Sequence, residues 1–199
     1  MLSAIVLAAG TSTRMGDQNK LLLPFKSKTI IEITTENILG SGIEEVIVVL
    51  GHQQDDIQSK LKHLPLKFVY NSKYADGLTT SIQKGVEIAS GDGYMLCLSD
   101  MYLVTANEYA LMKQAFAQQS ELNDQIICLP FYRGQRGNPV VFCSYYRNAI
   151  LMHNEMNGCK NIITENRQHT YPVEMPSDHI LTDMDYPADF EKLKNQQHK

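Results

Sequence analysis

Close cysteine pairs are missing from this sequence. Its four cysteines, Cys97, Cys128, Cys143 and Cys159, lie far apart, so none of the short spacings that hold zinc or run thiol exchange is available, and reduced buried thiols are expected. The six histidines are equally scattered, without metal-ligand spacing. No block of Lys or Arg occurs, and the formal net charge is -4. Duplex binding needs a clustered basic face, so no nucleic-acid partner is expected, and any phosphate in a substrate must be met locally. Long apolar runs are absent too. The opening stretch Leu2-Ser3-Ala4-Ile5-Val6-Leu7 has no basic leader before it and is too short to span a bilayer or serve as a signal peptide, so no membrane association and a cytoplasmic setting are expected. No repeat, low-complexity segment or linker marks a boundary. At 43% hydrophobic content, 199 residues allow one good core and leave little for a second large one, so residues 1–199 read as one domain. The polar tail 194–199 is expected to fray.

What the chain does have is alternation. Short β-rich runs at Ser3–Leu7, Glu45–Leu50, Lys67–Tyr70, Tyr94–Leu98, Gln125–Leu129 and Pro139–Phe142 are separated by amphipathic segments, the pattern of an α/β fold with a mainly parallel sheet. Thr29 with Glu32, and Thr105 with Glu108, are capping-box pairs that predict helices running to about Leu39 and over Tyr109–Gln118; Gly40 and Gly42 stop the first. Leu78, Ile82, Val86 and Ala89 recur at helical spacing, predicting a third helix whose first turn is Thr79-Thr80-Ser81. Pro187 suits the first turn of a last helix.

After the first strand the chain becomes small, glycine-punctuated and polar: Leu7-Ala8-Ala9-Gly10-Thr11-Ser12-Thr13-Arg14-Met15-Gly16, followed by Lys20. Small residues let a ligand approach the backbone, exposed N–H groups accept phosphate oxygens, and two cations offset their charge. In an open parallel sheet this loop falls at the carboxyl ends of the strands, where ligands sit. Gly10 and Gly16 fit neither the Walker A loop nor the dinucleotide fingerprint. The residues alone allow either a phosphate site or an ordinary strand-to-helix connection.

Leu7 to Lys20, continuing into Leu21-Leu22-Leu23-Pro24, resembles the signature of the molybdenum-cofactor nucleotidyltransferases. Further blocks agree in order: Asn71 with Gly77 and Ser81, Leu98-Ser99-Asp100-Met101, Arg133-Gly134-Gln135-Arg136-Gly137-Asn138-Pro139, and Asp183-Met184-Asp185-Tyr186-Pro187-Ala188-Asp189. The resemblance implies a Rossmann-like three-layer sandwich of the glycosyltransferase-A-like kind. It also implies transfer of a nucleotidyl group from a nucleoside triphosphate, with Mg²⁺, to a molybdopterin-type phosphorylated acceptor. GTP-using members resemble Leu-Ala-Gly-Gly in the first turn and CTP-using members Leu-Ala-Ala-Gly; Ala9 and the run Gly77-Leu78-Thr79-Thr80-Ser81 are similar to the cytidylyl branch, which makes CTP the expected nucleotide.

Both reactants are anions, so positioning and charge neutralisation are the main tasks, and an acceptor phosphate already ionised near neutral pH requires no general base. Asp100 follows an apolar strand and so reaches the ligand edge of the sheet; the resemblance assigns it to Mg²⁺, which takes few oxygen ligands, while the bland alternative is a capping aspartate. Asp183 and Asp185 are further metal candidates, with helix capping as the rival role for Asp185. The resemblance puts Lys20 and Arg14 on the triphosphate or pyrophosphate, and these two with Asp100 form the expected catalytic set. Leu7, Ala8, Ala9 and Gly10, with Asn71, Gly77 and Ser81, form the expected nucleotide contacts; Asn71 can donate and accept toward a base edge, and Ser81 otherwise only caps its helix. Arg136, in a loop with two guanidinium groups and two glycines, reads as acceptor-phosphate binding or as a basic hairpin.

Two places depart from the pattern. Tyr102 stands where relatives carry Pro after Asp-Met, and Glu155-Met156-Asn157-Gly158-Cys159-Lys160 stands where they carry Gly-Asp-x-Gly-Ala-Arg, so the aspartate is lost while a glycine and a cation remain. The acceptor is therefore left open between molybdopterin and another phosphorylated compound such as a sugar phosphate, with GTP as the rival nucleotide. A third reading is an accessory protein that holds cofactor for a molybdenum hydroxylase apo-enzyme without turnover.

Overall fold

The computed structural model describes residues 1–11, 19–25 and 27–184. Arg14, Asp185, the helix expected at Pro187 and the polar tail lie outside the described residues. Strand β1 (Leu2–Ala8) is buried along its whole length, as a run this apolar requires when both faces of a sheet are covered. The chain then forms β2 (Pro24–Phe25), β3 (Lys28–Thr29), α1 (Ile30–Gly40), β4 (Glu45–Leu50), α2 (Gln54–Leu61), β5 (Lys67–Tyr70), α3 (Leu78–Ile88), β6 (Gly93–Leu98), α4 (Ala106–Ser120), β7 (Ile127–Tyr132), β8 (Gln135–Arg136), β9 (Val140–Cys143), α5 (Arg147–Leu151), α6 (Lys160–Glu165) and β10 (Thr170–Glu174).

The main sheet runs β5-β4-β1-β6-β9-β7-β10, with β8 folded back on β7. Pairings β5/β4, β4/β1, β1/β6 and β7/β10 are parallel, and β9 alone runs antiparallel between β6 and β7. Helices α1, α2 and α4 cover one face and α3 and α5 the other, giving the expected α/β sandwich. Close approach of the layers depends on glycine at two points. A Cβ on Gly85 of α3 would lie 2.3 Å from Cγ2 of Ile5, and one on Gly93 would lie 2.3 Å from the Phe116 ring. Helix α3 therefore rests directly on β1 and β4, and α4 on β6.

Both capping boxes form. The Glu32 carboxylate accepts the Thr29 N–H at 2.8 Å and its hydroxyl at 2.6 Å, and Glu108 repeats the device with Thr105. Helix α3 starts at Leu78, where the helical spacing begins, with Thr79-Thr80-Ser81 in its first turn. Strand β7 runs past Leu129 to Tyr132 although Pro130 lies within it, because β9 pairs only with Ile127 and Cys128 and so asks no hydrogen bond of residue 130. Helix α2 and strand β10 had no readable signal: α2 buries only Ile57 and Leu61, and β10 is a half-exposed edge strand containing Pro172.

At the amino edge of the sheet, Glu45 is buried and accepts hydrogen bonds from Ser3 Oγ, Ser90 N–H (2.9 Å), Ser90 Oγ (2.8 Å) and Lys67 Nζ. Burial alone pushes this carboxyl up; the bonds from Lys67, Ser3 and Ser90 outweigh it and hold the pKa at about 2. The folded value lies below the unfolded one, so the stabilisation is present above about pH 4.5 and is lost as pH falls toward 2. Solvent screening at exposed Lys67 trims the contribution to about 2–3 kcal/mol. Denaturant midpoints measured from pH 5 to pH 2 should fall in the wild type and stay flatter in Glu45→Gln; identical profiles would remove Glu45 as the acid-sensitive group.

Candidate active site

Strand order reverses at β1, because the chain goes from β1 to β4 and β5 on one side and then returns to β6 on the other. Ligands of open α/β sheets bind at the carboxyl ends beside such a switch point. The two strands are tied there by Ser99, whose hydroxyl donates to the Leu7 carbonyl at 2.8 Å. Asp100 follows at once, with only 10% of its side chain exposed, and forms an ion pair and hydrogen bond with Lys20 Nζ. Lys20 owes its placement to a short helical turn, Lys20–Leu22, capped by the Asn19 side chain accepting from Leu21 N–H at 3.0 Å. Leu21 is anchored in the main core and Leu23 in a smaller cluster with Ile30, Tyr102 and Met184. A cation and a carboxylate, both largely withdrawn from water, thus meet beside the loop that leaves β1.

The end of β1 is built for backbone approach. A Cβ on Gly10 would meet nothing within 4 Å. Ala8 and Ala9 are buried, and the Ala9 methyl packs against Gly51, where an added Cβ would lie 2.8 Å away; the Ala9 carbonyl accepts from His52 N–H at 3.2 Å. Any influence of residue 9 on the nucleotide therefore passes through the backbone.

Asn71 is buried between β5 and α3. Its Nδ2 donates to Thr80 Oγ1 at 2.9 Å and Ser81 Oγ at 3.0 Å, while its Oδ1 accepts from Lys73 N–H at 3.0 Å. The geometry thus makes Asn71 and Ser81 partners of each other, shaping the approach to α3. Gly77, at φ +110, precedes that helix, and a Cβ there would lie 2.8 Å from the Met156 carbonyl. Leu78 N–H donates to this same carbonyl at 3.0 Å, Thr79 Oγ1 donates to the Glu155 carbonyl, and Gly158 N–H donates to Thr79 Oγ1 at 3.0 Å. The segment that departs from the expected pattern is therefore fastened to the start of α3.

A cleft of about 560 Å³ opens between α3, the sheet and this segment. Leu7, Leu96, Leu98, Val140 and Phe142 line it from the sheet and Ile82 from α3, while Arg136, Asn138, Asn157 and Lys160 supply its polar groups. Arg136 and Lys160 are exposed, so the cleft has an apolar floor and a cationic rim. Among the described residues no acidic side chain belongs to its lining. Leu7, Gly77 and Arg136 are brought together here, whereas Lys20 and Asp100 stand at the adjoining end of β6. Asp183 is exposed, and its neighbour Met184 is fully buried in one cluster with Tyr102 and Leu23, so the chain returns at that point to Tyr102, two residues after Asp100. Cys159 lines the cleft as well, with burial pushing its thiol up to about 12, which keeps it protonated.

A family description, MobA-like NTP transferase domain, matches residues 4–170. The chain belongs to this family of nucleotidyltransferases. It is 27% identical over 191 residues to the molybdenum cofactor cytidylyltransferase of Escherichia coli (strain K12), spanning 95% of this chain and 93% of that protein. It is 29% identical over 158 residues to a probable molybdenum cofactor guanylyltransferase of Methanosarcina acetivorans, spanning 75% of this chain and 65% of that one. Its fold is shared with a nucleotidyl transferase from Methanothermobacter thermautotroptrophicus, with a TM-score of 0.85 and 24% identity over 98% of this chain and 97% of that chain. Among the described residues no helix is long and apolar enough to cross a membrane.

Mg²⁺ takes oxygen ligands, often one or two carboxylates together with several waters. Asp100 and Asp183 are donors of that type, and among the described residues no group of three or more His, Cys, Asp or Glu is gathered that could hold a metal ion. The contact between residues 137–138 and 177–184 was not legible in the sequence. A Cβ on Gly137 would lie 2.2 Å from the Ile180 carbonyl, and Asn138 N–H donates to that carbonyl at 3.0 Å. Contacts between segments some forty residues apart leave no short-range signal.

Proposed function

We propose that this chain transfers CMP from CTP to the terminal phosphate of a molybdopterin-type acceptor and releases pyrophosphate. The observation that carries the reading is the Lys20–Asp100 pair at the switch point, beside a small-residue loop and next to a cleft with an apolar floor and cationic rim. In the step, an acceptor phosphate oxygen bonds to the α-phosphorus of CTP as the bond from that phosphorus to the bridging oxygen of pyrophosphate breaks. Lys20 neutralises the triphosphate and then the leaving group. Arg136 and Lys160 hold the acceptor phosphate, while Leu7, Leu98 and Phe142 seat its apolar body. Asp100 and Asp183 would hold Mg²⁺, which supplies charge neutralisation at the phosphates when bound. The turn Leu7-Ala8-Ala9-Gly10 and the 27% identity to a cytidylyltransferase support CTP. A cytoplasmic setting belongs to the same reading.

Thermal shift with CTP, GTP, ATP and UTP, each with and without Mg²⁺, tests it. CTP with Mg²⁺ should stabilise most, by about 2.7 kcal/mol at a hundredfold excess over Kd, and Ala9→Gly should move the CTP-to-GTP ratio toward GTP. Equal response to all four nucleotides would overturn the CTP assignment.

A second acceptor is favoured by one observation: the wall at Asn157–Lys160 supplies a cation and no carboxylate. Pyrophosphate release with a sugar phosphate, and none with molybdopterin, would replace the first acceptor by the second.

A further inference from the structure

Residues 177–184 form a strap across the carboxyl side of the molecule, and one buried carboxylate fastens it. Glu108, in the first turn of α4, has 3% of its side chain exposed. Besides the Thr105 N–H and hydroxyl, it accepts Ser177 Oγ at 2.6 Å through one oxygen and meets His179 Nδ1 at 3.0 Å through the other. A helix cap needs only the Thr105 contacts; the Ser177 and His179 contacts join segments about seventy residues apart in sequence. From this fastening the strap makes two contacts beside the site. Ile180 gives its carbonyl to Asn138 N–H and closes over Gly137, next to Arg136. Met184, immediately after Asp183, is buried under Leu23, Ile30 and Tyr102.

We propose that Glu108, Ser177 and His179 are positioning residues for nucleotidyl transfer: their cluster fixes the register of the strap, which holds the Arg136–Asn138 loop against the cleft and delivers Asp183 to the flank of Asp100. The inference rests on the proposed nucleotidyltransferase site. The cluster touches no reacting atom. Its loss frees the strap to slide, and Asp183 is then found at the metal position for only a fraction of the time, which lowers apparent affinity by that fraction.

The test is the Mg²⁺ concentration needed for half-maximal CTP binding in wild type, Glu108→Gln, Asp183→Asn and the double variant. Glu108→Gln should raise the requirement roughly tenfold, the scale of one charged hydrogen bond, and the double variant should need no more Mg²⁺ than the worse single one. A requirement unchanged in Glu108→Gln, or effects that multiply in the double variant, overturns the proposal. If Glu108→Gln does not fold, His179→Asn, which removes one contact to Glu108, and Ser177→Ala, which removes its bond to Glu108 and its cap on His179 N–H, are read in the same way. Hydrogen exchange over 177–184 separates this idea from the reading beneath it. Should wild type bind no CTP, the nucleotide assignment fails on its own; faster exchange of the strap in Ser177→Ala would still support the fastening, and unchanged exchange would overturn it.

Discussion

Asp100→Asn should fold normally and lose Mg²⁺-dependent pyrophosphate release by about 10²–10³-fold or more, the scale seen when one electrostatic stabiliser is removed from a preorganised site. The substitution keeps the shape of the side chain, and the Asn oxygen can still accept from Lys20, so the buried contact that joins the two segments survives as a hydrogen bond from the ammonium to a neutral amide. What disappears is a full negative charge at the edge of β6, where Asp100 follows the strand. A melting curve beside a Mg²⁺ titration of turnover separates the two contributions. A folded variant with full activity would remove Asp100 from the mechanism, and one that no longer melts cooperatively would make it a structural residue first.

Lys20→Met should weaken CTP binding by about 10- to 100-fold, the worth of one or two charged hydrogen bonds to phosphate. Methionine fills much the same volume as the lysine stem, so the short turn capped by Asn19 is retained. The variant also leaves the Asp100 carboxylate without its counter-charge, at a cost of about 1–3 kcal/mol in stability. Restored stability in Lys20→Met/Asp100→Asn would assign the stability loss to the unpaired carboxylate, while CTP affinity is read in the single variant, where Asp100 is intact. Calorimetric titration checks the affinity; an unchanged Kd would take Lys20 off the triphosphate.

Wherever a local pattern determined an element, the sequence was readable. The apolar run of β1, the capping boxes at Thr29 and Thr105, and the helical spacing of Leu78, Ile82 and Val86 each reflect forces acting within a few residues, and each element formed where those forces place it. The strands read as parallel did form a mainly parallel sheet, and the family read from the Leu7–Lys20 signature is the family found. The resemblance placed Lys20 on the triphosphate and Asp100 on Mg²⁺, but their direct pairing across eighty residues was not read, because no spacing rule spans that distance. Helix α2 stayed hidden since two buried side chains in eight residues leave little periodicity. The double duty of Glu108 was hidden for a different reason: a capping glutamate looks the same in sequence whether its far side faces water or a strap.

Among the described residues β8 and β9 are the reversed strands of the main sheet, and the direction of β9 bears on how this architecture can be re-addressed. A strand that runs backwards begins where its neighbours end, so the β7–β9 hairpin sets its tip at the ligand edge without a crossover helix. The tip can then lengthen, shorten or change charge while the parallel half, from β1 to β6, keeps its register and its hold on the other reactant. Exchange of residues 133–139 between relatives should accordingly transfer acceptor preference as a portable cassette and leave the choice of nucleotide with the recipient.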